Sequence, residues 1–418
     1  MVNLTVPPQT AASQVTVIDL ASGRAARRIS LESAHLSEGV CALTSEPWAL
    51  APFVKVRNLV PITQVAGGWV MSSGVAVLDL ATGGAIQLPL DEANDYFADP
   101  SGIVADVAGK RAFIASGGAD VITVLDLERI RGWLAAADDA KKHDAVYDLS
   151  LSPEYVVARV RTKRNPRQLA LTPDGKMLCV AERLNDSVLL LDAGSLRCLG
   201  RITLGDGGDD DPIRRGERVF TSAAYTFQHQ FSCRSCHPDG HVDGLSYDFD
   251  GDGIGDNMLD NRSLMGVAGT APFKWNGKNP SLEVQCGPRF AKVLMRTDPI
   301  PPAALRDLTT FIKSLPPARG RLSPDGKLTP AQERGRDIFF ATRTPEGKPI
   351  PRERRCSTCH RPPLYTLRLS FDVGTKGPHD TTGLFDTPHL LGIASSAPYL
   401  HDGRARSLEE LWTVYNPN

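Results

Sequence analysis

The pentapeptide Cys233-Arg234-Ser235-Cys236-His237 returns later in the chain as Cys356-Ser357-Thr358-Cys359-His360. In a Cys-x-x-Cys-His segment two thiols stand one helical turn apart, within reach of the two vinyl groups of one haem, and the next imidazole can turn onto its iron. A redox dithiol needs no His at the fifth place, and a zinc site rarely separates its Cys pairs so widely. With 8 Cys and 9 His in 418 residues, chance supplies such a segment far less than once. Two covalently bound c-type haems are expected, on Cys233, Cys236, Cys356 and Cys359, with His237 and His360 as iron ligands.

Covalent haem attachment is normally completed outside the cytoplasm, so a periplasmic or extracellular, cell-surface location is expected. Residues 1–8 have neither the basic start nor the apolar core of a signal peptide. The chain is therefore expected to be processed, or a fragment cut at both ends. Lys+Arg of 47 against Asp+Glu of 48 leaves almost no net charge, which argues against nucleic acid as a partner. No apolar run is long enough for a transmembrane segment. Cys41, Cys179, Cys198 and Cys286 lie outside the motifs; Cys179 and Cys198, on adjacent strand-like runs, are either a disulfide or buried thiols.

Residues 1–205 repeat one phrase, a β-branched or Leu-rich run ending in Asp: Val15 to Leu20, Val75 to Leu80, Ile122 to Leu127 and Val188 to Ala193. Gly-containing turns follow three of them, at spacings that suit four-stranded propeller blades with loop insertions. A helical insertion is expected over 129–142. The last unit, with its Pro173-Asp174-Gly175-Lys176 turn, resembles YVTN-type propellers.

Beyond the Gly/Asp-rich stretch 205–211 the pattern becomes helical. Arg215 to Phe220 and Arg334 to Phe339 start short helices ahead of each Cys motif, an internal duplication. Thr329, Pro330 and Gln332 spell an N-cap, a first-turn proline and a capping box. Pro302 to Leu315 is an amphipathic helix stopped by Pro316-Pro317. Asp248, Asp250, Asp252 and Asp256, with Gly253 among them, read either as a short calcium (Ca2+) loop or as a solvated acidic turn. The expected fold class is multidomain β + α, a partial β-propeller of about four blades over 1–205 followed by two tandem all-α c-type cytochrome domains over 211–318 and 319–418.

The two haem motifs, together with Asp386-Thr387-Pro388-His389-Leu390, Ala397 to Gly403 and Leu408 to Leu411, resemble the bacterial dihaem cytochrome c peroxidase/MauG family. That resemblance implies a peroxidatic haem on His237 and an electron-transfer haem on His360. It implies that Trp275 relays electrons between them and that Gln285 lines the distal pocket. Where the family carries an acid/base Glu, this chain reads Val293-Leu294-Met295-Arg296, and Glu283 is the nearest carboxylate. Met295 reads as a core residue or as a sixth ligand. Tyr415 falls where MauG-type proteins place a Tyr on the second haem iron, or else it is a helix-surface aromatic. His229 and His241 are distal ligands, or else they contact a haem propionate or lie in solvent, and His401 is structural.

The function so implied is a dihaem oxidoreductase coupling peroxide to electron transfer. Its partners would be an electron-donor protein (a small cytochrome or cupredoxin), hydrogen peroxide, and a protein docked on the propeller. The alternatives are a dihaem electron-transfer protein without peroxidase activity, and a propeller-based binding module with a cytochrome appendage.

Overall fold

Each of the four repeated aspartates ends a strand and satisfies the backbone of the turn that follows. This is seen in a computed structural model that describes residues 12–68, 70–206, 208–249, 253–318, 320 and 326–415. Oδ1 of Asp19 accepts the Ser22 N–H at 2.8 Å, and Oδ1 of Asp192 accepts that of Ser195 at 2.7 Å. Asp79 accepts from Ala81 and Thr82, and Asp126 from Glu128 and Arg129 at the start of a helix. The phrase recurs because one side chain can cap the turn at every strand end.

The described strands of the first part build four sheets. β1 (Ala12–Asp19) pairs with β2 (Arg24–Glu32). β3 (Ala34–His35) and β4 (Cys41–Ala42) both pair with β5 (Trp48–Val56), which continues through β6 (Met71–Asp79) to β7 (Ala85–Pro89). β8 (Pro100–Ala105), β9 (Arg111–Ser116), β10 (Val121–Asp126) and β11 (Val156–Arg161) form an antiparallel meander. Between its last two strands come α1 (Leu127–Ala136), α2 (Asp139–Asp144) and α3 (Ser152–Tyr155), so the expected insertion is present as separate short helices. β12 (Pro166–Leu171), β13 (Met177–Glu182), β14 (Ser187–Asp192) and β15 (Cys198–Thr203) form a second meander. β8 lies against both β5 and β12, so consecutive sheets meet at these strands.

Cys179 and Cys198 are both free thiols. Cys179 pairs with Leu190 and Cys198 with Leu191, on opposite sides of β14. Two strand spacings separate them, roughly 9–10 Å, beyond disulfide reach.

The second part contains α4 (Pro212–Thr221), α5 (Cys233–Cys236), β16 (Ser246–Asp248), β17 (Met258–Asp260), α6 (Leu282–Gln285) and α7 (Pro302–Ser314). It continues with α8 (Pro330–Phe339), α9 (Cys356–Cys359), β18 (Ser370–Asp372), β19 (Leu384–Asp386) and α10 (Leu408–Thr413). The start of α8 is as expected: Thr329 Oγ1 accepts the Gln332 N–H, and Gln332 Oε1 accepts the Thr329 N–H. α7 packs on α4 through Phe311 and Phe220, ring centroids 5.2 Å apart. Gly216 leaves no room for a side chain where α4 meets the Asp307 carbonyl. The expectation of all-α domains is corrected here, because each repeat carries a short antiparallel ladder, β16–β17 and β18–β19. The fold is multidomain and β-rich, with several sheets and short helices. Among the described residues no helix is long and apolar enough to cross a membrane.

One apolar core belongs to both parts. Val54, Val56, Ile62, Val65 and Met71 pack with Phe231, Leu245, Tyr247 and Met295, which places Met295 in a core. The segment between the parts is bridged by Arg214 to Asp186 and by Arg183 to Glu217, each at 2.5 Å.

Glu182, fully buried, accepts from Lys163 N–H, Ser187 Oγ and the Arg201 guanidinium. Burial pushes its pKa up, but these donors together outweigh burial and leave it below the ordinary 4.5. Its contribution to stability is therefore complete above pH 4.5 and lost as the pH falls through the lower folded-state value. Glu182→Ala should cost about 2 kcal/mol, less than a fully buried pair would because Arg201 is partly in water. Urea unfolding at neutral and acidic pH should show the gap between variant and wild type closing in acid.

Candidate functional site

The first attachment turn is α5, and its thiols at Cys233 and Cys236 are followed by His237, whose N–H donates to the Cys233 carbonyl at 2.9 Å. Its hydroxyls face the β-rich part. Ser232 Oγ donates to Asp99 Oδ2 and Ser235 Oγ to Asp99 Oδ1, both at 2.6 Å. Ser235 Oγ also accepts the Ser232 N–H at 2.9 Å. Asp99, Ser232 and Ser235 are all buried, and Asp99 sits at φ +57 immediately before β8.

A second clamp is ionic. The buried Arg234 guanidinium meets Glu38 and Asp239, and Arg167 of β12 meets the same two carboxylates, at 3.0 Å and 3.2 Å. Gln230, also buried, donates to the Val65 carbonyl at 2.6 Å.

Beside the Cys236 carbonyl lies a polar cluster. Asn261 Nδ2 donates to that carbonyl and to Asp243 Oδ1, and Tyr247 Oη donates to Asp243 Oδ2 at 2.5 Å. Burial raises the Asp243 pKa to about 6 against the opposing pull of these donors. His35, of the β-rich part, stands 3.8 Å from Asp243 and is held down to about 4 by burial and by Arg234. Burial likewise lowers His237 to about 4, and its Nδ1 is buried without a hydrogen-bond partner.

The second turn repeats the first. His360 follows α9, donates its N–H to the Cys356 carbonyl at 2.9 Å, and has nearly the backbone angles of His237. Its Nδ1 lies 3.1 Å from the Tyr365 carbonyl. That contact suits an Nδ1–H donor and leaves Nε2 as the coordinating nitrogen. α8 ahead of it buries no residue, and Ile338 and Phe340 are exposed.

The two repeats exchange matching hydrogen bonds. Asp386 N–H donates to the Trp275 carbonyl at 2.7 Å, and Asp260 N–H to the His401 carbonyl at 2.8 Å. Lys274 and Leu400, each just before those carbonyl residues, share φ +68 and +70, and Gly277 and Gly403 share φ +65 and +71. Trp275 and His401 thus occupy equivalent places about a local pseudo-two-fold. Trp275 Nε1 donates to the Asp260 carbonyl at 3.0 Å, and Arg262 lies 4.7 Å from its ring centroid. His401 stacks on Phe385 at 3.9 Å and bonds Asp380 at 2.7 Å.

The remaining residues singled out in the sequence are placed as follows. Glu283 is half-buried and bound to Lys313 at 2.6 Å, an interaction that holds its pKa down to about 2. Gln285 accepts from Asn279. Tyr415 is half-buried just past α10. His241 bonds Ser395 at 3.1 Å. Asp248 accepts the Gly255 N–H at 3.0 Å, Asp256 faces His379 at 3.7 Å, and Asp250 and Asp252 lie outside the described residues. Asp99, Glu38, Arg167, His35, Asp243, Tyr247 and Asn261 carried no signal in the sequence. Only the Asp-Pro pair at 99–100 and the two serines flanking Cys233 could have hinted at a cap.

Two turns each present paired free thiols and an adjacent imidazole, a donor set whose chemistry fits a c-type haem. The His360 ring, oriented through its Nδ1 by the Tyr365 carbonyl, suits that group. Comparison with known proteins makes the assignment more particular. No protein-family model matches the chain. It is similar to hydrazine synthase subunit beta of Kuenenia stuttgartiensis, 30% identical over 179 residues, covering 42% of this chain and 46% of that subunit. It is also similar to hydrazine synthase subunit gamma of the same organism, 27% identical over 252 residues, covering 47% of this chain and 67% of that subunit. A solved Kuenenia stuttgartiensis hydrazine synthase aligns with a TM-score of 0.42 at 26% identity, covering 44% of this chain and 52% of that chain. The chain spans about half the length of subunit beta.

These relatives overturn the expected membership of the cytochrome c peroxidase/MauG family and, with it, peroxide-linked electron transfer. The site gives a physical reason for the correction. Glu283, the nearest substitute for the family's acid/base Glu, has its carboxylate engaged by Lys313 at the surface.

The Asp243 cluster makes a pH prediction. A carboxyl with a raised folded-state pKa binds its proton more tightly when folded, so it adds stability as the pH falls from about 6 towards 3.8 and loses it as the pH rises. Asp243→Asn keeps acceptors for Leu245 N–H and Asn261 and turns its amide towards Tyr247 Oη. Wild type should gain about 1–3 kcal/mol on this variant across that window, read by denaturation midpoints at stepped pH.

Proposed function

We propose that the chain is a haem-carrying component of a hydrazine synthase-type enzyme. The observation that carries this reading is that both curated relatives are subunits of one enzyme, and two different subunits. The chain would then unite a β-rich part, read as a partial propeller over 1–205, with two cytochrome-like repeats over 211–318 and 319–418. Consecutive sheets meeting at β5, β8 and β12 support the propeller reading. The matched hydrogen bonds of Trp275 and His401 support the paired repeats.

Cys233 and Cys236 would bind the first haem covalently and His237 its iron; Cys356, Cys359 and His360 would do the same for the second. A bound c-type haem supplies an iron that exchanges single electrons and coordinates small ligands. The protein's own contribution is positional. Asp99 and Arg234 fix the first turn, and the His360 ring is oriented by Tyr365. Trp275 and Arg262 fill the contact between the repeats. Asp243, shielded from water beside Cys236, is able to hold or release a proton near neutral pH. The partners are the other subunits of such an assembly, and the compartment is one where c-type haems mature, the periplasm or another extracytoplasmic space.

Expression with a c-type haem maturation system should give an intact mass carrying two covalent haems, and one in Cys356→Ala/Cys359→Ala. A chain that matures without covalent haem sinks the cofactor assignment. The assembly pulled down with the tagged native chain should form hydrazine, and a pull-down with no hydrazine above background overturns the enzyme assignment.

A further inference from the structure

We propose that Asp99 is a positioning residue for the first haem, acting from the β-rich part through Ser232 and Ser235 on the turn that bears Cys233, Cys236 and His237. The proposal rests on the reading that this turn carries a haem.

The geometry leaves little freedom. Ser235 Oγ accepts the Ser232 N–H, so its single proton is committed to Asp99 Oδ1, while Ser232 Oγ donates to Oδ2. Both carboxylate oxygens are therefore acceptors for hydroxyls that bracket Cys233 along the chain. All three residues are at most 3% exposed, so water does not compete. Asp99 is itself pinned, with its carbonyl accepting the Gly117 N–H at 3.0 Å. A non-glycine residue at φ +57 is unfavourable on its own, and it persists where surrounding contacts over-determine it. Gly118 passes close beside the same carboxylate, where a Cβ would come within 3.0 Å of Oδ2.

The second turn is an internal control. Arg355 stands at its N-cap, no side chain caps the helix, and its Arg355 guanidinium bonds the Ile350 carbonyl instead. The two turns thus share a backbone shape, but a buried carboxylate from the β-rich part grips the first. The consequence is directional. A fixed negative charge near an iron favours the oxidised state, which carries one more positive charge than the reduced state. Rigid placement of the turn also fixes the plane of the His237 ring and so the ligand field it imposes.

The test uses the full haem-loaded chain and its Asp99→Asn, Asp99→Glu, Ser232→Ala and Ser235→Ala variants, with redox titration and paramagnetic resonance. A Cys356→Ala/Cys359→Ala background assigns signals to the first haem. Asp99→Asn should raise the first haem's midpoint potential and alter its resonance, leaving the second haem's unchanged. Asp99→Glu should restore part of the wild-type behaviour, and each serine variant should alter the first haem's resonance alone. If Asp99→Asn does not fold, the serine variants decide by the same readout. First-haem potential and resonance identical to wild type in folded variants overturn the proposal while the two-haem reading stands. A wild-type chain without covalent haem at this turn overturns both.

Discussion

The hydrogen bonds from Ser232 and Ser235 to Asp99 join residues 133 and 136 positions apart, and the placement of the first attachment turn follows from them. A helix of one turn cannot satisfy its own first N–H groups, and once buried it must find partners elsewhere. Here Ser235 Oγ accepts the Ser232 N–H, and the Asp99 carboxylate, just ahead of β8, accepts the hydroxyls of both serines. Arg234 then has to be neutralised, because a buried guanidinium without a counter-charge is strongly unfavourable. Glu38 and Asp239 do this, and Arg167 balances the surplus negative charge. The shared apolar core around Val65, Phe231 and Tyr247 closes over the result.

Much of the fold was legible because it depends on neighbours in sequence. The repeated strand-ending aspartates, the Thr329 capping box and the α7 stop at Pro316 are local devices, and each forms as its residues dictate. The backbone of the two Cys-x-x-Cys-His turns was equally legible, since each closes within five residues. What escaped the sequence acts through space. Nothing near Asp99 or His35 announces that β8 and β3 will face residues beyond position 230. The run Val188 to Ala193, by contrast, was legible as a strand, and as β14 it lies between those of Cys179 and Cys198.

The family resemblance misled for a related reason. The Cys-x-x-Cys-His turns and the glycines beyond them constrain the backbone of both repeats, and that backbone is duplicated here down to the positive φ values at Lys274 and Leu400. Motifs that record backbone geometry are shared wherever the geometry is shared. The reaction depends instead on which side chains fill the equivalent places. Trp275 and His401 occupy one such pair and differ completely, and the Glu283 carboxylate is tied to Lys313.

The bridging of Asp186 by Arg214 and Glu217 by Arg183 bears on how strong the contact between the two parts has to be. A short connecting segment turns association into an intramolecular event, at an effective concentration of order millimolar. Under that condition a contact can be rich in hydroxyls and charged groups, and modest in apolar area, and still stay closed. As separate chains, the same surfaces would have to secure that closure by affinity alone.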